Sequence, residues 1–331
     1  MSIELIISLV KANIVLAVLL TNTILLIWFE RKVVAGMQSR VGPDRAGPFG
    51  ILQTLADAIK LLLKEQILPS KADRAMYLLA PLIALVPSFL IFMIIPLGPD
   101  ITVEWQNALY TIPLVGADLN VGVLYFLALS SIAVYSVVLA GWSSGSKYPL
   151  LGGVRASAQM ISYEAAMGLA LVPVILYSGS LSLVDIVNSQ SGNLSSSIPI
   201  LNTIVSFIPK WNIFPQFVAF GIFFIAAVAE VNRAPFDLVE AEQELVGGFH
   251  TEYSGFRFAM FFLAEYINMF NMCAITATFF LGGWLGPTFE GILPPIFSVI
   301  MPIIWLGVKT FLLLFVFVWI RATLPRLRYD Q

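Results

Sequence analysis

Long apolar stretches alternate with shorter charged or glycine- and proline-rich connections along the whole chain. A helix needs about 20 mostly apolar residues to cross a bilayer, where the backbone must satisfy its hydrogen bonds internally. Seven stretches meet this length, near residues 10–29, 77–97, 121–141, 157–178, 214–231, 256–282 and 297–320. We therefore predict an all-α, polytopic transmembrane helix bundle that forms a single integral membrane domain over residues 1–331.

The basic residues are distributed unevenly between the two sides of this predicted bundle. Fifteen of the 18 Lys and Arg residues lie in the odd-numbered connections and the C-terminal tail. Because short basic connections stay on the cytoplasmic side, the N-terminus is expected outside and the odd-numbered connections in the cytoplasm, or in the matrix of an organelle. The expected location is the cytoplasmic (inner) membrane of a bacterium.

Two of the inside connections have features of their own. Within the loop at 30–76, apolar residues from Ile51 to Leu63 recur at helical spacing, while Asp57, Lys60 and Lys64 occupy the other face. This pattern predicts an amphipathic helix that lies on the inner leaflet, because it is too short and too charged to cross. The second long inside loop, at 231–255, is acidic.

Composition then excludes several classes of function. Hydrophobic residues make up 59% and charged residues 11% of the chain, and the net charge of −2 gives no electrostatic footprint for nucleic acid. One Cys and one His exclude a disulfide framework, a Cys-ligated iron–sulfur cluster, a bis-His haem and a usual zinc site. We predict no metal site and no redox cofactor bound by this chain, and we expect lipid as a partner.

An ionisable group inside a membrane costs free energy and is therefore a functional candidate. Four carboxylates lie within or at the end of predicted spans, namely Glu30, Glu164, Glu230 and Glu265. Glu30 is adjacent to Arg31 and Lys32, which favours an ion pair with them at the interface and leaves a part in a wider network open. Glu164 and Glu265 have no basic residue within a helical turn, so either a hydrogen bond from Tyr or Asn keeps them neutral, or they handle protons.

The acidic loop combines an ordinary structural interpretation with a chemical one. Asp237 as N-cap and Glu240 three residues later fit a capping box. A capped helix does not explain the other carboxylates of this stretch, which are offset there only by Arg233: Glu230, Glu242, Glu244 and Glu252. Carboxylates this dense have coupled titrations, as a proton-coupling device requires. His250, the only His, fits a solvated loop residue better than a catalyst, while Arg40 and Arg155 could simply contact lipid phosphate.

Several longer motifs carry a resemblance to a known family. They are Glu30-Arg31-Lys32, Arg40-Val41-Gly42-Pro43, the Ala56–Glu65 helix, Ala140-Gly141-Trp142-Ser143, Arg155-Ala156-Ser157-Ala158-Gln159, Ser162-Tyr163-Glu164, the 230–253 connection, Ala264-Glu265-Tyr266 and the ending from Arg321 to Gln331. In these the chain resembles the quinone-site membrane subunit of proton-pumping NADH:quinone oxidoreductase, respiratory complex I. In bacteria this is the H subunit, and mitochondrial NADH dehydrogenase subunit 1 is its counterpart.

The resemblance implies roles for individual residues. Those implied to line or support a quinone chamber are Arg31, Arg40, Asp57, Lys60, Arg233 and Phe236. Those implied to link this chamber to a proton path are Glu164, Glu230, Glu240, Glu242, Glu244 and Glu265, with Arg155, Asp237 and Glu30 in support. It further implies quinone as substrate, FMN and iron–sulfur clusters in partner subunits, and both peripheral and membrane-arm subunits as partners.

Other functions stay open at this stage. A related membrane subunit of a hydrogenase or of another donor-specific dehydrogenase shares the fold. A stand-alone ion transporter would show internal repeats and a broken helix, and neither is visible. A purely structural anchor has no need of Glu164 and Glu265. The family continues into an eighth span after the Arg-Tyr-Asp-Gln ending, so we expect the sequence to be truncated at Gln331.

Overall fold

A computed structural model of the protein describes residues 3–105, 108–193, 209–238, 242–287 and 296–327. The helices are α1 (Ile3–Met37), α2 (Gln53–Leu63), α3 (Arg74–Met93), α4 (Gly122–Ser143), α5 (Lys147–Ser178), α6 (Leu183–Ser189), α7 (Phe217–Glu230), α8 (Glu242–Leu245), α9 (Gly255–Phe280) and α10 (Ile296–Thr323). Two strands, β1 (Ile101–Trp105) and β2 (Ala108–Ile112), pair antiparallel with Ile101 opposite Ile112. The sequence pattern did not predict this hairpin or α6.

Six helices, α1, α3, α4, α5, α9 and α10, are long and apolar enough to cross a membrane, which confirms the predicted helix bundle. The fifth predicted span is present as α7, but that helix has only 14 residues. At 1.5 Å per residue it is about 21 Å long, shorter than a hydrocarbon core of about 30 Å. It begins late because Pro215 precedes it and the Asn212 side chain bonds back to the carbonyl of Phe279 (2.8 Å).

The core is formed by α9 with the helices around it. Ile267, Cys273, Phe279 and Phe280 on α9 are fully buried, and α3, α7 and α10 pack against this helix. Helices α4 and α5 approach each other closely at Gly141, where a Cβ atom would lie 2.5 Å from the carbonyl oxygen of Pro149. Such close approach through small residues is typical of helices that associate in lipid.

The connections gather at two opposite ends of the bundle. At one end, Asp73 donates its backbone N–H to Ser143 (3.0 Å), and the tail residue Leu327 donates to Pro235 (3.0 Å). At the other end, Lys11 donates to the carbonyl of Pro113 (2.8 Å). The loops predicted to lie inside therefore meet at one end, which we call the basic end.

Candidate functional site

Four charged side chains from four different segments meet near the basic end. Arg233, which follows α7, lies between Glu30 of α1 (Nη1 to Oε1, 3.5 Å) and Glu265 of α9 (Nε to Oε1, 2.9 Å). Arg321 of α10 also forms an ion pair with Glu30. The guanidinium of Arg233 lies 4.5 Å from the ring centre of Tyr266. We call Glu30, Arg233, Glu265 and Arg321 the buried charge cluster, after Glu30 and Arg233 at its centre; the side chain of Arg321 is 41% exposed.

The pairing predicted for Glu30 from its sequence neighbours is wrong. Arg31 instead bonds Asp57 of α2 (2.6 Å), and Lys32 bonds Asp44 (3.3 Å). Successive residues of a helix point in different directions, so the neighbours of Glu30 in sequence face the loop. Glu30 turns into the bundle, where it is 4% exposed. In the same way Glu265, which lacks a base within a turn of its own helix, obtains one from another segment.

A cavity of about 70 Å³ connects the cluster to a second carboxylate. Glu265 and Glu230 both line it, together with Asn268, His250 and Ser136. Most of the cavity lining is apolar, but these polar side chains could act as partners for water, which needs about 10–15 Å³ per molecule on the same measure and two or more polar partners. Oε2 of Glu230 has no hydrogen-bond partner among the described residues, and water in the cavity would supply one.

The series of carboxylates continues from Glu230 to α5. Ser130 of α4 donates to Oε1 of Glu230 (2.8 Å), and the next residue, Ser131, donates to Oε1 of Glu164. The structure therefore brings together three of the predicted carboxylates, Glu265, Glu230 and Glu164, in that order.

Gln159 of α5 fixes the segment that carries Arg233. Its side-chain N–H groups donate to the carbonyls of Ala229 and Phe236, both at 2.8 Å. The Phe236 ring packs against Tyr163 at a centroid distance of 5.2 Å. The Ala229 carbonyl also accepts the backbone N–H of Asn232 (3.1 Å), so Gln159 gives it a second donor and links the end of α7 to the carbonyl of Phe236.

Glu244 and Arg155 form a second ion-pair group at the basic end. Glu244 of α8 accepts from Arg155 of α5 (2.6 Å) and from Arg326 of the tail (3.1 Å). The hydrogen bond from Arg155 and the two positive charges lower the pKa of Glu244. Glu240 lies outside the described residues and so does the side chain of Glu242. The helix predicted after Asp237 is seen only over α8.

The amphipathic helix α2 forms as predicted and is tied to α1. Burial raises the pKa of Asp57, but hydrogen bonds from Arg31 and Gln53 outweigh it, so the net pKa is lowered. Lys60 is exposed on the same helix. Arg40 donates to Gln38 within its own loop (2.6 Å) and is not brought to the buried charge cluster.

His250 is not the solvated loop residue that the sequence favoured. Its ring packs between Phe249 and Phe258, at centroid distances of 4.9 and 5.3 Å. Burial lowers the pKa of His250 to about 4, so the imidazole is neutral at pH 7. Nearby, the stacked rings of Tyr77 and Tyr253 (4.1 Å) join α3 to the acidic loop. In the described part of the chain, no three His, Cys, Asp or Glu side chains are grouped to hold a metal ion.

Sequence reasoning missed several residues of this site. Arg321 was counted only as a basic tail residue, although it ends a predicted span in the same way as Glu30. Ser130 and Ser131 are neutral and were not predicted as site residues, and Gln159 was named only as the last residue of a motif. A polar side chain inside an apolar helix is the signal that could have found them, because it must obtain a partner in the bundle.

Comparison with known proteins identifies the family. The family model described as NADH dehydrogenase matches residues 10–331. The chain belongs to this NADH dehydrogenase family. Relatives named as a second H subunit of NADH-quinone oxidoreductase are 48% identical over 335 residues in Koribacter versatilis and 50% identical over 321 residues in Syntrophobacter fumaroxidans. The matches cover 99% and 97% of this chain, and 90% and 87% of those relatives.

A third relative, the NADH-quinone oxidoreductase H subunit of Thermomicrobium roseum, is 50% identical over 328 residues, with 99% of this chain and 90% of that protein covered. Membership of the NADH dehydrogenase family confirms the resemblance stated from the sequence motifs. Together with the six helices that can span a bilayer, it establishes an integral membrane protein.

Proposed function

We propose that this chain is the membrane subunit of an NADH-quinone oxidoreductase, where it helps form the quinone chamber and couples quinone reduction to proton translocation. The observation that carries the proposal is the series from the buried charge cluster through the cavity to Glu230, the two serines and Glu164. A purely structural anchor does not require carboxylates joined in this way across several helices.

The chemistry makes such a series useful. Reduction of one quinone to the quinol takes two electrons and two protons. The electrons would come from FMN and iron–sulfur clusters in partner subunits. A negative charge that develops on the quinone acts on nearby carboxylates, and coupled carboxylates respond by changing how many protons they hold. The contact of Glu265 with Arg233 on one side and with the cavity on the other supports this role.

The chamber itself is proposed at the basic end. Arg31 and Asp57 join α1 to α2, and Arg233 and Phe236 lie on the segment that Gln159 holds. Lys60 and Arg40 are exposed on the surface of this end. On the apolar face of α2, Leu52, Leu55 and Leu62 are also exposed, which suits contact with lipid or with a long quinone tail.

The orientation follows from the basic residues. The connections that hold most Lys and Arg meet at the basic end, so that end is proposed to face the cytoplasm, in a bacterial inner membrane. Peripheral subunits that carry the electron donors would dock there, and membrane-arm subunits would lie beside the bundle.

Purification from the native membrane tests the proposal. The tagged chain is extracted in mild detergent, the co-purifying proteins are identified by mass spectrometry, and the eluate is assayed for NADH-driven quinone reduction. We expect iron–sulfur and antiporter-like subunits together with quinone-dependent turnover. Recovery with a nickel–iron hydrogenase would assign the chain to that related enzyme, and a lone chain that transports ions would contradict the proposal.

A further inference from the structure

Two adjacent serines of the predominantly apolar helix α4 each bond a carboxylate on a different helix. Ser130 of α4 donates to Glu230 at the end of α7, and Ser131 donates to Glu164 of α5. Consecutive α-carbons are about 3.8 Å apart. Both carboxylates are therefore fixed to a single turn of α4, although they come from separate segments of the chain.

The geometry, taken with the proposed function on which this inference rests, points to Ser130 and Ser131 as positioning residues. We propose that they hold Glu230 and Glu164 at one turn of α4, so that a proton can pass between the two carboxylates. The proton leaves one carboxyl group and binds to the other through the intervening hydroxyls or water, so no bond between heavy atoms changes.

The hydroxyl partners distinguish this pair from other buried serines. Ser88, Ser136 and Ser144 each donate to a carbonyl of their own helix, which is the usual way to satisfy a hydroxyl in lipid. Ser130 instead donates to Glu230, and Ser131 shares its hydroxyl between the Leu127 carbonyl of its own helix (3.0 Å) and Glu164. The bond between Ser131 and Glu164 is therefore not explained by the need to satisfy the serine hydroxyl.

The two carboxylates have complementary access. Glu230 is 5% exposed and lines the cavity that it shares with Glu265, whereas Glu164 is half-buried on α5. For a proton that reaches Glu230 from the cavity, Glu164 is the next acceptor along the series.

The test compares alanine, threonine and control variants of the intact complex in proteoliposomes. Ser130→Ala and Ser131→Ala remove one hydroxyl each, and Ser131→Thr keeps a hydroxyl at the less buried position. Ser88→Ala is the matched control, since its hydroxyl bonds only its own helix. NADH-driven proton uptake is measured together with the redox-induced infrared difference spectrum in the carboxyl C=O region.

We expect proton translocation to fall about tenfold or more in both alanine variants, because each loses a hydrogen bond to a charged group and such a bond typically changes an equilibrium by at least this factor. The carboxyl band should shift in Ser131→Ala and return in Ser131→Thr, a result that a purely structural role would not give. If an alanine variant fails to assemble, the cysteine variant at that position keeps the volume with a weak donor and should show the same loss.

The outcomes separate this inference from the proposed function. Wild-type translocation and an unshifted band in Ser130→Ala and Ser131→Ala would overturn the inference, and loss of pumping in Glu230→Gln would leave the proposed function intact. Full pumping in Glu230→Gln would remove both.

Discussion

Replacement of Arg233 by methionine removes the central cation of the buried charge cluster. The guanidinium contacts Glu265 at 2.9 Å and Glu30 at 3.5 Å, and its side chain is only 7% exposed. Breaking a buried ion pair by removing one partner costs about 3–5 kcal/mol. Here we expect about 3 kcal/mol, because Glu30 retains Arg321 and the Glu265 side chain is 24% exposed. That free energy corresponds to about a hundredfold change in an equilibrium.

Hydrogen exchange of the purified complex measures this cost at the backbone of residues 228–238. The opening free energy of that segment should fall by about 3 kcal/mol in Arg233→Met, and NADH-driven quinone reduction should fall with it. Arg233→Lys should be intermediate, because an ammonium cannot bridge two carboxylates as the guanidinium fork does. Wild-type exchange and turnover in Arg233→Met would refute the reasoning, as would full additivity with Glu265→Gln in a double-mutant cycle.

Three further predictions concern neighbouring features. Arg155→Gln or Arg326→Gln removes one of the two ion pairs of Glu244, so protease should cleave the acidic loop faster than in the wild type. Added salt should reduce this difference between variant and wild type, because it screens the ion pairs. In the folded protein the pKa of His250 lies below its unfolded value of about 6.5, so protonation of the imidazole favours the unfolded state. The neutral ring therefore contributes about 3 kcal/mol to the free energy of unfolding above pH 6.5, and this contribution is lost as the pH falls towards 4. The protection factor of residues 248–253, which is the intrinsic exchange rate at each pH divided by the observed rate, should therefore fall from pH 7 to pH 5, but not in His250→Phe. Lys309→Met should lower the free energy of unfolding by about 2 kcal/mol, because the Lys309 ammonium donates to carbonyls that follow α9. An unchanged midpoint of thermal unfolding would refute that role.

The sequence pattern identified the helices because lipid imposes a simple length requirement on each of them. It also identified α2, whose apolar and charged faces alternate at helical spacing. The limits lay where local sequence does not determine the structure. The shortness of α7 depends on Asn212, which bonds the carbonyl of Phe279, a residue 67 positions further along the sequence.

The candidate site was predicted in its residues more than in its contacts. Glu164, Glu230 and Glu265 stood out because carboxylates are rare in apolar spans. Their partners could not be found in the same way, because Arg233 reaches Glu30 across 203 positions and Arg321 across 291. Proximity in sequence led instead to Arg31 and Lys32, which the structure pairs with other acids.

The proton-to-electron ratio of the complex carrying Glu265→Gln tests the central claim most directly. Glutamine keeps the shape of the side chain but cannot bind or release a proton at pH 7, and Asp185→Asn at the opposite end of the bundle is the charge-matched control. The account predicts that Glu265→Gln loses proton translocation in proteoliposomes while the control pumps like the wild type. A wild-type ratio at a wild-type rate of NADH oxidation in Glu265→Gln would contradict the carboxylate series as the route of coupling.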